Sequence, residues 1–413
     1  MTAPGSGPVP GVYVRPIEPG DELAAAWRLA ALAFGAQASL VEQPLPPPQF
    51  TAGRIWYGAF DGGGRLIGTA ADLFHEQWWG GRLVSAADVA GVAVLPEARG
   101  RGASRALLKG LLEGAYERGA AVSALYPTAA PVYRASGWAV TGFLRTADVP
   151  TAFLQGISRP SAGASNLLTV RPADPAGADQ PAVAELYTRL ARPREGLLSR
   201  QGPPFPPEGS WPRGIDGMTL IEDGDRLVGY ASWIRGTGYR SDALLDVPDL
   251  LAATPDAARE LLTVLAGWRS VTPTVRLRSL DFDAASTLLP LEAAARFDAR
   301  PWMHRPVDVA RAASSRGWPS SRRGKVTFHL HDSVAPWNDG AWQFDVADGE
   351  ATLVRTGTHP DVRLHVAGFA LLYCGVASPG MLVEAGLLHG PADCIGGLEL
   401  LRPKSAAQLL DYF

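Results

Sequence analysis

A string that recurs within one chain constrains its fold strongly, because two copies of a unit must each fold and then pack on one another. Here Val14-Arg15-Pro16-Ile17-Glu18-Pro19-Gly20-Asp21 leads into a helix-like run, and Val170-Arg171-Pro172-Ala173-Asp174-Pro175 leads into another. Arg15 and Arg171 are 156 residues apart. Further on, Asp61-Gly62-Gly63-Gly64-Arg65-Leu66-Ile67-Gly68 is echoed by Asp223-Gly224-Asp225-Arg226-Leu227-Val228-Gly229, with Arg65 and Arg226 161 residues apart. The near-equal offsets predict two units of one fold, each holding a strand, a Gly-rich turn and a second strand. Chance recurrence in a chain with 46 glycines is the competing account.

A chain of 413 residues suits two or three domains. Residues 156–165, rich in Gly, Ser, Ala and Pro, read as a linker, and residues 203–212 as a Pro-rich loop within the second unit. After about Pro306 the pattern turns to short alternating runs at 326–330, 342–346, 351–354 and 362–366. Helical stretches at 369–373 and 379–385 complete a small α+β domain. The expected division is 1–155, 166–300 and 301–413.

Apolar residues at 46% and charged residues at 19% exclude a disordered or fibrous chain, and a net charge of −3 gives no bulk attraction to nucleic acid or an anionic bilayer. Cys374 and Cys394 fall in no zinc-binding spacing and rule out a disulfide framework. His329, His331 and His365 lie in expected strands with no acid at ligand spacing, so no metal site is expected. No basic, apolar leader and no run of about 18 apolar residues occurs, so a cytoplasmic protein is expected, with no membrane and no nucleic-acid partner.

Chemistry concentrates at one segment. Val92 to Leu95 is β-like, Arg99-Gly100-Arg101-Gly102 is a Gly-rich turn, and from Ala103 apolar residues at 107, 108, 111, 112 and 115 share one helical face. A strand feeding such a turn at a helix start leaves converging backbone N–H groups, which suits a pyrophosphate. A P-loop requires Gly-Lys-(Ser/Thr), but Ala103-Ser104 follow Gly102, and a Rossmann fingerprint requires glycine where Arg105 stands. What remains, Arg-x-x-Gly-x-x after a Val-x-Val strand, resembles the coenzyme A loop of the GNAT N-acyltransferases, with Ser104 in place of the usual last small residue. Downstream, Tyr133-Arg134-Ala135-Ser136-Gly137-Trp138 matches the Tyr-x-x-x-Gly-aromatic pattern of that superfamily.

With a second GNAT-like unit and a C-terminal α+β domain, the layout resembles the Eis (enhanced intracellular survival) acetyltransferases. The resemblance implies tandem GNAT-like units with mixed sheets, of α+β and α/β character, and a sterol-carrier-like third domain. It also implies an acetyl-CoA-dependent N-acetyltransferase acting on a small-molecule amine or a protein lysine, assembled as a homohexamer. It assigns Tyr133 as general acid and the carboxylate of Phe413 as general base. The acetyl-CoA-binding residues carried over are Val92, Ala93, Val94, Arg99, Gly100, Arg101, Gly102, Ala103, Ser104, Arg105, Thr128 and Ala129.

The second unit's Thr254-Pro255-Asp256-Ala257 offers a helix start without glycine, and Asp256 and Glu260 repel a phosphate. That unit is expected to be structural. Asp88 and Glu76 are alternative bases, and Trp78-Trp79 either wall the acceptor site or simply pack. Aminoglycoside-acetylating relatives carry acids where Tyr412 and Gly35-Ala36 stand, and often an aromatic residue where Gly91 stands. Loss of that charge and bulk disfavours a polycationic acceptor. The rival reading is a non-catalytic protein that senses acyl-CoA or carries an apolar ligand.

Overall fold

The computed structural model describes residues 11–35, 52–157, 168–174, 177–203, 205, 214–290 and 294–413. Ala36, most of the 156–165 linker and most of the 203–212 loop lie outside the described residues. The first unit runs β1 (Val12–Pro16), α1 (Asp21–Ala33), β2 (Arg54–Asp61), β3 (Leu66–Trp79), β4 (Arg82–Val94), α2 (Ala103–Arg118), β5 (Val122–Leu125), α3 (Ala130–Arg134) and β6 (Ala139–Pro150). The second runs β7 (Leu168–Pro172), α4 (Gln180–Ala191), β8 (Gly217–Asp223), β9 (Arg226–Ile234), β10 (Leu244–Ala252), α5 (Pro255–Ala266), β11 (Thr274–Ser279) and β12 (Arg296–Pro306). The echoed strings occupy matching places. Arg15 pairs with Glu22 at the start of α1, and Arg171 pairs with Asp179 at the start of α4.

All twelve strands join one sheet in the order β1-β2-β3-β4-β5-β12-β6-β11-β10-β9-β8-β7, which is a palindrome of the two units. Each unit's last strand lies in the other's half. β12 pairs antiparallel with β5, Met303 opposite Leu125, while β6 pairs with β11, Val149 opposite Val275. β6 and β12 then pair with each other from Asp148 opposite Arg296 to Ala139 opposite His304. An open sheet edge exposes unpaired N–H and C=O groups, and this exchange covers β5 and β11 at once, leaving β1 and β7 as the sheet's edges.

The third part comprises α6 (Val309–Ser315), β13 (Gly324–His331), β14 (Gly340–Ala347), β15 (Glu350–Arg355), β16 (Arg363–His365), α7 (Val366–Tyr373), α8 (Pro379–Glu384) and β17 (Leu388–His389), with a five-stranded sheet ordered β15-β14-β13-β16-β17. The alternation holds: Val326, Phe328 and Leu330 face the core, and His329 and His331 face out. Asp339 lies 3.7 Å from His329 and 3.1 Å from His331, an acid that sequence spacing did not bring to them. Among the described residues no group of three metal-ligating side chains forms. α7 begins three residues earlier than its pattern suggests because His365 caps it, Nδ1 accepting the Ala367 N–H at 3.1 Å. Among the described residues no helix is long and apolar enough to cross a membrane.

Buried ion pairs tie the third part to the long sheet. Arg305 on β12 donates to Asp332 at 2.6 Å, both fully buried, and also to the Ser136 carbonyl just after α3. Asp332 in turn accepts the Val334 and Ala335 N–H groups and Asn338 Nδ2. Removing one partner of such a pair strands a buried charge. Asp332→Ala is therefore expected to lose about 3–5 kcal/mol of stability, read as a fall in the denaturant midpoint, and a midpoint equal to the wild type's would refute this role.

Candidate active site

The site is built on the point where β4 leaves β5. Those two strands run parallel, and their last paired residues are Val89 and Leu125, although β4 continues to Val94. The cause is a bulge: between the Ala71–Ala90 and Thr69–Ala93 pairs the register with β3 shifts, and Gly91 sits there with φ +59°. A Cβ at Gly91 would lie 3.1 Å from the Trp56 ring. The bulk expected to be missing at this position is thus supplied by Trp56 from β2, across β3. The segment read from sequence as a short strand is only the end of β4, which begins at Arg82.

Alternation fixes where the free amides point. Leu95 N–H donates to the Ile67 carbonyl on β3 at 2.9 Å, so the Ala93 N–H also faces β3, while those of Val92 and Val94 face the gap toward β5. Past the strand, Gly100 and Gly102 adopt left-handed conformations, φ +75° and +77°, and Gly102 caps α2 without any side-chain bond. The first intrahelical acceptor, the Gly102 carbonyl, serves Ala106 N–H, which leaves the amides of Ala103, Ser104 and Arg105 free at the positive end of a 16-residue helix. Arg99 and Arg101 are exposed and Arg105 half-buried, and none has an ion pair among the described residues. These residues fit a pyrophosphate-bearing group.

The helix α2 is held hard against the sheet. Arg118 at its end pairs with buried Asp72 through both carboxylate oxygens at 3.0 Å and lies 3.8 Å over the Phe74 ring. Burial pushes Asp72 up to about 6, with Arg118 pulling the other way. At Gly114 a Cβ would overlap the Tyr57 hydroxyl, so only glycine allows this approach.

Tyr133 lies on α3, 5% exposed, its ring edge-on to Trp138 at 6.5 Å. Burial raises its pKa, and a hydrogen bond with the Thr128 side chain opposes the rise. Such a phenol stays protonated at neutral pH and can donate. Thr128 and Ala129 form the turn entering α3.

The C-terminal tail reaches this region from the third part. It has no regular structure, yet every residue from 407 to 413 is anchored. Ala407 and Gln408 N–H donate to the Cys374 and Glu195 carbonyls, and Leu409 and Leu410 are buried. Arg278 donates to the Leu410 carbonyl at 3.0 Å, and Tyr126 Oη donates to the Asp411 carbonyl at 2.8 Å. Tyr412 packs on Tyr126 with ring centroids 4.7 Å apart, and Phe413 lies edge-on to both Tyr126 (5.4 Å) and His75 (5.3 Å).

At its centre is Arg200, 5% exposed and with φ +54°. It donates to Asp249 at 2.6 and 2.8 Å and to Asp411 at 2.9 Å, with the Tyr187 ring 4.1 Å from the guanidinium carbon. Burial alone would raise the Asp249 carboxyl, but Arg200 overturns this and holds it below the usual carboxylate range.

Sequence reading missed Arg200, His75 and Tyr126. His75 Nδ1 shares a hydrogen with Asp88 at 2.9 Å, and Asp88 also accepts the Ala124 N–H, so this candidate base is fully buried and engaged with β5. Trp78 and Trp79 pack: Trp79 joins Tyr373 and His304 in one core, and Trp78 joins Tyr187 and Leu186 in another. In the second unit Thr254 Oγ1 caps α5 by accepting the Ala257 N–H, and Asp256 is paired with Arg259, so no open anion cradle forms there.

Comparison with known proteins agrees with this geometry. Residues 14–141 match one model described as an acetyltransferase (GNAT) domain, residues 196–309 match another of that description, and residues 309–409 match a sterol carrier protein domain. An uncharacterized N-acetyltransferase of Streptomyces avermitilis is 27% identical over 353 residues, 80% of this chain and 81% of its own. A GCN5-related N-acetyltransferase from Kribbella flavida superposes with a TM-score of 0.79 at 27% identity, covering 98% of this chain and 99% of that one. Eis1 from Mycobacterium abscessus shares the fold, with a TM-score of 0.72 at 22% identity over 97% and 100% of the two chains. The parted strands and free helix end thus lie in the stretch that matches a GNAT acetyltransferase domain. With a second GNAT-domain match and a sterol carrier match, the chain has the three-part fold seen in Eis1.

The tail's anchorage is directly testable. Arg200→Met leaves Asp249 and Asp411 unpaired, and carboxypeptidase is expected to remove terminal residues from this variant at least tenfold faster than from the wild type. Equal digestion rates would show that Arg200 does not hold the tail.

Proposed function

We propose that the first unit binds acetyl-CoA and transfers its acetyl group to a primary amine, carried by a small molecule or a protein lysine. The observation that carries this reading is the gap beyond Val89 and Leu125, with free amides on one side and the anchored tail nearby. Acetyl-CoA supplies the activated thioester. The amides of Ala103, Ser104 and Arg105, with Arg99 and Arg101, hold the pyrophosphate, and the Gly100 and Gly102 turn admits it without side-chain obstruction. The Val92 and Val94 amides hold the acetyl oxygen where negative charge grows during attack. Ala93, Thr128 and Ala129 line the path between loop and tyrosine.

The Phe413 carboxylate takes a proton from the acceptor's ammonium group, freeing the amine lone pair to attack the acetyl carbon. Tyr133 donates its proton to the departing sulfur, for which a phenol is well matched in basicity. In this reading the catalytic unit is 1–155, the second unit, 166–300, has a structural role, and 301–413 presents the base, with homohexameric assembly following the family resemblance and cytoplasmic residence following the sequence reading.

Two measurements test the reading. Gly102→Glu places a side chain and a negative charge at a left-handed position, φ +77°, and calorimetry on the folded variant should detect no acetyl-CoA binding. Unchanged affinity would move the cofactor elsewhere. Tyr133→Phe should slow thiol release by about 10²–10⁴ without weakening acetyl-CoA binding, and a short Gly-Ser extension after Phe413 should remove turnover by displacing the carboxylate. An extended protein turning over at the wild-type rate, with unchanged thermal stability, would eliminate the terminal base.

A further inference from the structure

A cavity of about 300 Å³ opens beside the tail on the face of the sheet shared by β6, β11 and β12. Cross-strand register places its walls. Arg296, Asp298 and Arg300 of β12 stand opposite Asp148, Thr146 and Leu144 of β6, and Arg276 and Arg278 of β11 stand opposite Asp148 and Thr146. Tyr412 closes one end. It is the residue before Phe413, and the Arg300 guanidinium carbon lies 5.3 Å from its ring centroid. The cavity therefore begins one residue from the carboxylate that the mechanism assigns as base.

The charges in this cavity do not cancel. Arg276 takes Asp148 in a two-point pair at 2.7 and 2.9 Å, and Asp246 and Asp298 also face it and help to raise its pKa. Asp298 reaches Arg300 only at 3.7 Å. Arg296 has no ion pair among the described residues. Arg278 gives one N–H to the Leu410 carbonyl, while its Nε is buried with no partner. The three carboxylates therefore gather about Arg276, and the other three guanidinium groups keep donors to spare. The buried Arg278 Nε without an acceptor is costly, while Arg296 and Arg300 are exposed at the mouth, and an anion accepting from Arg278 and one of these forms short, charge-assisted bonds. A polycation would meet these arginines with like charge.

We propose that the acceptor is an amine that also carries an anionic group, carboxylate or phosphate, held by Arg278, Arg296 and Arg300 while its amine reaches Phe413. This rests on the acetyl-transfer reading above. It narrows the acceptor class to aminoalkyl acids and related amphoteric molecules, including the amine of a peptide with a nearby acidic group.

The test compares kcat/KM for hexylamine, 6-aminohexanoate and 6-aminohexyl phosphate at one pH and saturating acetyl-CoA. The wild type should favour at least one anionic acceptor over hexylamine by about tenfold or more, and the larger ratio identifies the anion as carboxylate or phosphate. Arg296→Gln and Arg300→Gln should each reduce that ratio severalfold through KM. A wild-type ratio near one, or a ratio that survives in both variants, overturns the proposal. Should no acceptor release thiol from a protein that still binds acetyl-CoA, the transfer reading is what has failed. Calorimetric titration with 6-acetamidohexanoate and 6-acetamidohexyl phosphate then decides the subsite alone: binding of either that weakens in Arg296→Gln supports it, and no binding of both to the wild type refutes it.

Discussion

The exchange of β6 and β12 governs everything else in this molecule. Each strand fills the free edge of the other unit, and the two meet along the centre of a continuous twelve-stranded sheet. Backbone hydrogen bonds in a ladder tolerate little slippage, because a shift of one residue would turn every side chain to the wrong face. The two halves are therefore registered to each other as firmly as strands within one domain. The active site needs that registration. Its amides come from β4 of the first half, while the arginines that grip the tail, Arg200 and Arg278, come from the second. A loose hinge between the halves would decouple the tail from the gap it serves.

The tail itself illustrates how a segment without helix or strand is positioned. Its backbone groups are satisfied one after another by partners from distant parts of the chain: Cys374, Glu195, Arg278 and Tyr126. Arg200, shared between Asp249 and Asp411, adds a charge pair sheltered from solvent. Charge-assisted bonds in such surroundings are stronger and more directional than exposed ones. Pre-ordering of this kind lowers the entropy lost when a reacting group must be held in place.

Much of this was legible from residues alone, for local reasons. Arg15 and Arg171 signal the repeat because each pairs with an acid at the start of its own helix. The Gly100 and Gly102 turn is visible because left-handed backbone demands glycine, and the third domain because Phe328, Phe344 and Leu353 keep period two. What stayed hidden is non-local. Nothing within residues 296–306 announces that they leave their own unit, since Arg, Asp and Pro there look like a surface loop. Arg200 and Asp411 are 211 residues apart in sequence, and Arg305 and Ser136 are 169 apart, so an isolated arginine carried no sign of burial. Gly91 was legible as a departure but not as a bulge, because Trp56, which fills the space, comes from another strand.

The palindromic sheet also bears on how such a protein can change over generations. Two units of one fold would ordinarily be free to diverge, and the one without the glycine turn could be shed. Here the second unit lends β12 to the first and borrows β6 from it, so its deletion would tear a strand out of the half of the sheet that carries the Gly100 and Gly102 turn. Chemistry can lapse in one copy, as the glycine-free turn at Thr254 suggests, while the copy itself is retained by architecture. Selection then acts on a pair rather than on two domains, and the retained copy becomes raw material for new duties, such as gripping a tail.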